Sequence, residues 1–240
     1  MTVSVVATFT AYQANTNTGS IALSFTPTAG NLLVGFLTIA NSTGPATIVD
    51  SNYTWVGVMT NTSGASAPMD HAWVFITTAT AATQIDATGS YSLNAGTGGR
   101  SRLNVFELGN HAGYGSVVST FSSASTTLLS VNIVTTANNA AVVTGHHSNT
   151  LETNKPATFT GYGSYSTSGP ALSFNWAANP DMGVAGTYAV QWGSNPGTSM
   201  DRRKTTAVVI LPSATVTFDY NLLEHRVMRG AGRGVMRGVA

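Results

Sequence analysis

Two pairs of adjacent residues carry side chains capable of acid–base or metal chemistry. His146 and His147 close one apolar stretch, and Asp70 precedes His71 at the start of another. Imidazole and carboxylate groups transfer protons or bind zinc, but a metal site needs further ligands. Neighbouring residues of a β-strand point to opposite faces, so we expect each pair to diverge, with one of the two adjacent histidines facing inward and the other outward. A structural role is therefore favoured for both pairs, with Asp70 capping a turn.

The remaining polar candidates are typical of turns. Asp50 is followed by Ser and Asn, a composition in which the carboxylate accepts nearby backbone N–H groups. Residues 201–204 (DRRK) indicate a solvated turn or the rim of a subunit interface. The chain has only 9 acidic residues, scattered along its length, whereas glycoside hydrolysis needs two that converge on one cleft. We predict no catalytic residue, no metal and no cofactor, and a protein that is not an enzyme.

Two tryptophans are candidates for sugar binding. Trp176 and Trp192 each precede an Asn-Pro turn. An aromatic ring near a loop end can stack on a sugar, because one side of it is apolar and its edge remains polar. Burial of these rings in the core or in an interface is the favoured alternative, and the residues themselves leave both open.

The C-terminal segment departs most from the rest of the chain. Charged residues make up 8% of the sequence, against about 25% in typical soluble domains. Residues 221–240 nevertheless contain four arginines interspersed with glycine, valine and methionine, and VMRG occurs twice. Arginine forms bidentate contacts with carboxylates, and methionine fills irregular apolar gaps. We predict an arm that binds a neighbouring subunit through Arg226, Val227, Met228, Arg229, Arg233, Val235, Met236 and Arg237.

Two alternatives for this segment are a solvated terminus and a nucleic-acid-binding tail. The net charge of the chain is +1, and the arm holds four arginines against Glu224, so the body before it is slightly acidic. A nucleic-acid partner is therefore not expected for the body. The N-terminus lacks a basic region, and no apolar run approaches the ~18 residues of a membrane span, so we expect neither a secretory signal nor a membrane partner. The absence of cysteine excludes disulfides.

The elements that must position these residues are predicted to be β-strands. β-branched and aromatic residues alternate with polar ones, turn residues separate the segments, and no helical period is visible before residue 221. Residues 31–40 are more continuously apolar, which is typical of a strand covered on both faces. The predicted strands span residues 3–12, 20–27, 31–40, 46–50, 54–60, 71–78, 84–92, 102–108, 116–121, 127–134, 141–147, 157–165, 172–177, 186–192, 204–211 and 215–220.

This pattern predicts an all-β fold. Short, evenly spaced strands favour an antiparallel jelly-roll-like β-sandwich over residues 1–220, followed by an extended C-terminal arm over residues 221–240. A division into two halves near residues 110–115 is the alternative, although no linker composition marks it.

Three segments carry a resemblance to known proteins. They are residues 26–58 (TPTAGNLLVGFLTIANSTGPATIVDSNYTWVGV), residues 102–110 (RLNVFELGN) and residues 126–147 (TTLLSVNIVTTANNAAVVTGHH). Over residues 3–211 the chain resembles jelly-roll proteins of phage virions. The resemblance implies a virion structural protein on the capsid surface: a capsid decoration (cement) protein, homotrimeric, whose partners are the major capsid protein or other virion subunits. A tail-fibre or baseplate carbohydrate-binding module that attaches to a host glycan is the alternative. The arm lies outside this resemblance.

Overall fold

The computed structural model describes residues 1–16, 19–40, 46–62, 71–91, 99–122, 128–148, 152–166, 173–194 and 203–214. These residues form strands and turns, and the strands pair antiparallel, which confirms the predicted all-β antiparallel fold. No helix long and apolar enough to cross a membrane occurs among them. The predicted strand over residues 215–220, the arm over residues 221–240, and Asp70 lie outside the described residues.

The strands fall into two consecutive sets, which we call the first half and the second half. The first half comprises β1 (Ser4–Thr16), β2 (Ser20–Phe25), β3 (Leu32–Ala40), β4 (Thr47–Val49), β5 (Val56–Thr62), β6 (His71–Thr78), β7 (Ile85–Ser90) and β8 (Gly99–Gly109). The second half comprises β9 (His111–Ser122), β10 (Leu128–Thr135), β11 (Ala141–Ser148), β12 (Glu152–Asn154), β13 (Thr160–Ser166), β14 (Ser173–Asn179), β15 (Gly186–Ser194) and β16 (Arg203–Pro212).

The two halves share one connectivity. The sheets of the first half have the strand orders β1-β8-β3-β6-β5 and β2-β7-β4, and those of the second half are β13-β14-β11-β16-β9 and β10-β15-β12. Subtracting eight from each label of the second half gives 5-6-3-8-1 and 2-7-4, which are the orders of the first half. Among the described residues, every ladder pairs strands of the same half. Asn110, in the left-handed conformation (φ 56), is the one residue between β8 and β9.

The repeat extends to the turns that precede β3 and β11. Gly30 (φ 87) and Asn139 (φ 59) both adopt the left-handed conformation, which glycine and asparagine tolerate best. The N–H of Gly30 donates to Ala79 O, just after β6, at 2.6 Å. The N–H of Asn139 donates to Gly183 O, after β14, also at 2.6 Å. Equivalent turns are therefore held to equivalent loops in the two halves.

The four sheets stack as three-, five-, five- and three-stranded layers, with an apolar core between each pair of neighbours. The outer cores each belong to one half. The core between the two five-stranded sheets, which we call the central core, contains residues of both halves: Val3, Leu32, Val34, Phe36, Val74, Ile76, Phe106, Leu108, Ala141, Val143, Phe174, Trp176, Ala178, Val208 and Ile210. Strands of the five-stranded sheets are thus covered on both faces, and the prediction for residues 31–40 is confirmed.

The predicted strands agree well with the observed ones. Every predicted strand before residue 212 overlaps an observed strand. Strand β12 was missed, because Glu, Thr and Asn show no apolar alternation over its three residues. It forms through its pairing with Gly193 and Ser194 of β15, which is a contact distant in sequence.

Candidate functional site

The halves meet through equivalent surfaces. Phe36 of β3 lies against Gly145 of β11, where an added Cβ would be 2.9 Å from Phe36 Cδ1. Strands β3 and β11 hold the same place in their respective sheets. The arrangement thus resembles an isologous interface between two subunits, although both surfaces belong to one chain.

One end of the central core is polar. Arg102 and Asn104 of β8 lie there, facing Trp176 of β14. The Arg102 guanidinium carbon is 4.3 Å from the centroid of the Trp176 ring, a cation–π contact between the halves. Thr10 Oγ1 donates to Asn104 Oδ1 at 2.8 Å. A cavity of about 20 Å³ opens between these side chains.

Sequence reasoning did not select Arg102 or Asn104. The polar residues alternate with Leu103 and Val105, a pattern that normally indicates a solvated face. Here that face is covered by the second half, so both side chains are buried. Arg102 and Asn104 lie on the same face of β8 as Phe106 and Leu108, which are apolar. These apolar neighbours are the sequence signal that could have indicated that the face is covered.

The two adjacent histidines are both buried, at 3% (His146) and 1% (His147) exposure. They do point to opposite faces, as expected: His146 stacks on Trp192 at 5.3 Å, and His147 stacks on Phe174 at 4.8 Å. The prediction that one of them faces outward is wrong, because β11 is covered on both sides. His146 Nδ1 forms a hydrogen bond with Thr205 Oγ1 at 2.7 Å. Within the described residues, no three His, Asp or Glu side chains cluster closely enough to hold a metal ion.

Lys204 shares the polar end of the central core. It pairs with His147 across β11 and β16, and it is only 1% exposed. The interpretation of residues 201–204 as a solvated turn or a rim is therefore wrong for Lys204, because β16 begins at Arg203 and Lys204 lies inside its sheet. Burial holds the pKa of His147 well below its usual range, and electrostatic interaction with the neighbouring Lys204 and His146 lowers it further.

Acidification from pH 7 to pH 5 is expected to destabilise the protein through His147. The unfolded histidine titrates near about 6.5, while the folded one stays neutral, so the unfolded state binds more protons below that pH. The stabilisation that comes from keeping His147 neutral is complete above about pH 6.5. As the pH drops below that value, the free energy of unfolding falls by at most about 1.4 kcal/mol per pH unit. Urea unfolding measured at a series of pH values from 7 to 5 should show this decrease in the free energy of unfolding.

His147→Phe keeps a planar ring against Phe174. This variant should lose the part of the pH dependence of the free energy of unfolding that comes from His147. His111→Asn is the matched control, because His111 is only partly buried, at the opposite end of the sheet. An identical slope in wild type and His147→Phe would contradict the assignment.

Trp176 and Trp192 are both buried. Trp176 lies beneath Arg102 in the central core. Trp192 lies in the outer core of the second half, where its Nε1 donates to Thr144 Oγ1 at 3.2 Å. Glycan binding by these two rings stays a prediction, and their placement in the interior does not favour it.

Asp50 forms the predicted turn. Its Oδ1 accepts the backbone N–H groups of Asn52 (2.8 Å) and Tyr53 (3.1 Å). Its Oδ2 accepts the N–H of Asp86 at 3.0 Å, which ties the β4–β5 connection to β7. The carboxylate therefore joins two elements of the first half in addition to capping its own turn.

In the second half, the connection that corresponds to β4–β5 is β12–β13, and an open groove separates it from β15. The β12–β13 connection, residues 155–159, carries Lys, Pro, Ala, Thr and Phe, and so has no carboxylate that could reach across to β15. A groove of about 390 Å³ lies between this connection and β15, with Leu128, Met182, Tyr188 and Gln191 among its lining residues. The halves therefore share a connectivity but present different surfaces.

No protein-family model matches this chain, and neither the curated proteins nor the solved structures contain a significant match to it.

Proposed function

We propose that the chain is a non-enzymatic virion structural protein, a capsid decoration (cement) protein that clamps neighbouring coat subunits. The observation that supports this most is the repeated strand order. An eight-strand unit that pairs its strands 1-8-3-6 in one sheet and 2-7-4 in the other has the connectivity of a jelly roll, an architecture common among viral capsid and lectin domains. In both halves the fifth strand pairs with the sixth instead of the fourth, so each would be a modified jelly roll.

In this proposal the β-strand body, residues 1–220, is the rigid part of the protein. Layers of three, five, five and three strands bury three cores, and the low charge of the chain leaves little repulsion between surfaces that are packed closely together. A protein that binds only the assembled lattice stabilises it by RT ln(1 + [L]/Kd), and several attachments on one oligomer raise the effective concentration of each. A homotrimer on the capsid surface, bound to the major capsid protein, fits this mode of action.

The arm over residues 221–240 is the proposed anchor. The last strand among the described residues ends at Pro212, and the N–H of Ser213 donates to Asn110 O at 3.0 Å. The chain is therefore held beside the junction of the two halves shortly before the arm begins. Arg226, Arg229, Arg233 and Arg237 would contact carboxylates of the coat, with Val227, Met228, Val235 and Met236 filling apolar notches beside them.

Replacing Arg229, Arg233 and Arg237 together by Gln is expected to weaken co-sedimentation with empty capsids by about 100-fold or more. Each charge-assisted hydrogen bond contributes about 1.5–3 kcal/mol, and 1.4 kcal/mol corresponds to a factor of ten in Kd. Lys155→Gln removes an exposed cation from the body and is the matched control, expected to bind as wild type does. Full binding by a chain truncated after Tyr220 would show that the arm is not the anchor.

The groove beside β15 gives some support to the alternative, a tail-fibre or baseplate module that binds a host glycan. Its volume of about 390 Å³ is in the range of small-ligand sites, and it combines an aromatic ring, Tyr188, with the amide of Gln191. Retention of the intact protein on immobilised host polysaccharide, without binding to capsids, would favour this function over decoration.

A further inference from the structure

The groove beside β15 has a fixed framework. One wall is the β12–β13 connection, in which the N–H of Phe159 donates to Pro156 O at 3.0 Å. Phe159 is buried in the outer core of the second half, and Met182 and Tyr188 pack against that core. The hydroxyl of Tyr188 donates to Val184 O, which holds the ring in place. A ligand would therefore meet walls that are already formed, and ordering them costs little free energy.

The lining of the groove carries one charge, and it is positive. Lys155 lines the groove and is exposed, and its ammonium has no ion-pair or hydrogen-bond partner in the part of the chain that the structure describes. None of the lining residues is Asp or Glu. Among the lysines and arginines whose exposure the structure describes, Arg102 and Lys204 are buried and Arg100 is half-buried. The exposed cation of this set thus lies at the groove, and the complementary ligand is an anion.

The first half indicates which anionic group suits this place. Strand β7 ends at Ser90 and β15 at Ser194, and each serine pairs with the first residue of a short strand, β4 or β12. Asp50 directly follows β4, and its carboxylate accepts the N–H of Asp86 in β7. Lys155 directly follows β12 at the corresponding position. A carboxylate therefore occupies this place in the first half, whereas the second half presents a lysine that can bind one.

The neutral lining residues favour a sugar as the carrier of that carboxylate. The ring of Tyr188 offers an apolar surface with a polar edge, on which the C–H face of a pyranose can stack. The side-chain amide of Gln191 is exposed and has no partner within the described residues, and it can donate to and accept from hydroxyl groups. The volume of about 390 Å³ is in the range of small-ligand sites. An acidic peptide could pair with Lys155, but a pyranose also presents the flat C–H face and the hydroxyl groups that Tyr188 and Gln191 match.

We propose that the groove beside β15 binds an acidic saccharide of the uronic acid class. Its carboxylate lies at the Lys155 ammonium, and its hydroxyl groups bind Gln191 beside the ring of Tyr188. This inference rests on the alternative function given above, glycan binding, and specifies the class of sugar. Capsid decoration through the arm neither requires nor excludes it.

The first test measures the Kd of the full chain for trigalacturonate and for its methyl ester, which has the same hydroxyl groups but no charge. Trigalacturonate should bind about fivefold to tenfold more tightly, because one charge-assisted contact in a partly exposed groove is lost in the ester. Lys155→Gln should remove this preference. Equal binding of acid and ester by the wild-type chain would overturn the inference and leave glycan binding intact. Binding of neither sugar would overturn both.

The arginines of the arm could also attract an anionic sugar, so the arm is tested separately. The variant in which Arg229, Arg233 and Arg237 are replaced together by Gln is the matched control, and it should bind trigalacturonate as the wild-type chain does. Loss of binding in this variant would overturn the proposal. Binding of tri-L-glutamate as tight as that of trigalacturonate would overturn it too, because the groove would then select charge without selecting a sugar.

The second test locates the sugar on the wild-type chain and does not depend on any variant folding. Adding trigalacturonate should shift the backbone amide resonances of residues 157–159 and 189–191 in NMR spectra. Residues 50–53, at the corresponding place in the first half, are the internal control and should not shift. Shifts confined to the first half or to the arm would overturn the proposal.

Discussion

Gly163→Ala is expected to lower the free energy of unfolding by about 3 kcal/mol, at the upper end of the usual cost of overpacking. Gly163 of β13 lies opposite Trp176 of β14. An added Cβ would be 2.6 Å from Trp176 Cε2 and closer still to Cζ2. The indole has little room to retreat, because Arg102 covers its face and the central core surrounds it.

Gly161→Ala is the matched control on the same strand. Its Cβ would meet only Lys155, at 3.4 Å from Cδ, and that side chain is flexible and exposed. We expect a change within about 0.5 kcal/mol. Urea unfolding followed by tryptophan fluorescence measures both variants. Similar stabilities for the two would mean that the ring of Trp176 does not constrain β13.

Phe106→Ala is expected to cost about 3–5 kcal/mol, the usual range for removing a buried phenylalanine. Phe106 is fully buried in the central core. It makes edge-to-face contacts with Phe36 of the first half, at 6.0 Å between ring centroids, and with Tyr162 of the second half, at 5.8 Å. The substitution therefore removes the ring that contacts aromatic residues of both halves.

Denaturant unfolding again provides the measurement. Phe106→Leu preserves most of the volume and should cost less than the alanine variant. Val56→Ala removes an exposed apolar side chain of the same half and should change stability by at most about 0.5 kcal/mol. A loss below about 1 kcal/mol for Phe106→Ala would contradict the dependence of the fold on the packing between the halves.

The positions of the strands could be predicted from the sequence because alternation and turn residues are local signals. The order of the strands in the sheets could not. Thr10 and Asn104, partners in the β1–β8 ladder, are 94 residues apart, and no local pattern records that pairing. Strand β12 was missed for the same reason, since only its partner β15 makes it a strand.

The repeated connectivity is also poorly visible in the sequence. The junction between the halves is the single residue Asn110, so no linker composition exists that could mark it. Equivalent positions differ in size and polarity: Phe36 of β3 packs against Gly145 of β11, and the buried Glu107 of β8 corresponds by register to Val209 of β16. The packing of one half against the other requires such differences, and they obscure the similarity between the halves.

The candidate site could be predicted only in part. The opposite orientation of His146 and His147 follows from strand geometry alone. Their common burial does not, because it depends on a second sheet covering each face of β11. The arginine-rich arm is conspicuous in composition, and its role stays a prediction because residues 221–240 lie outside the described residues.

The confinement of each ladder to one half has a consequence for synthesis. All described strand pairs of the first half lie between Ser4 and Gly109. This half can therefore complete its hydrogen bonding on the ribosome while later residues are still being translated, since domains generally fold as units in order of emergence. Until β11, β14 and β16 arrive, however, the nascent chain exposes the apolar face that bears Val34, Phe36 and Phe106. Such a face is prone to aggregation, so a pause in elongation near residue 110 would favour chaperone capture or pairing between two unfinished chains.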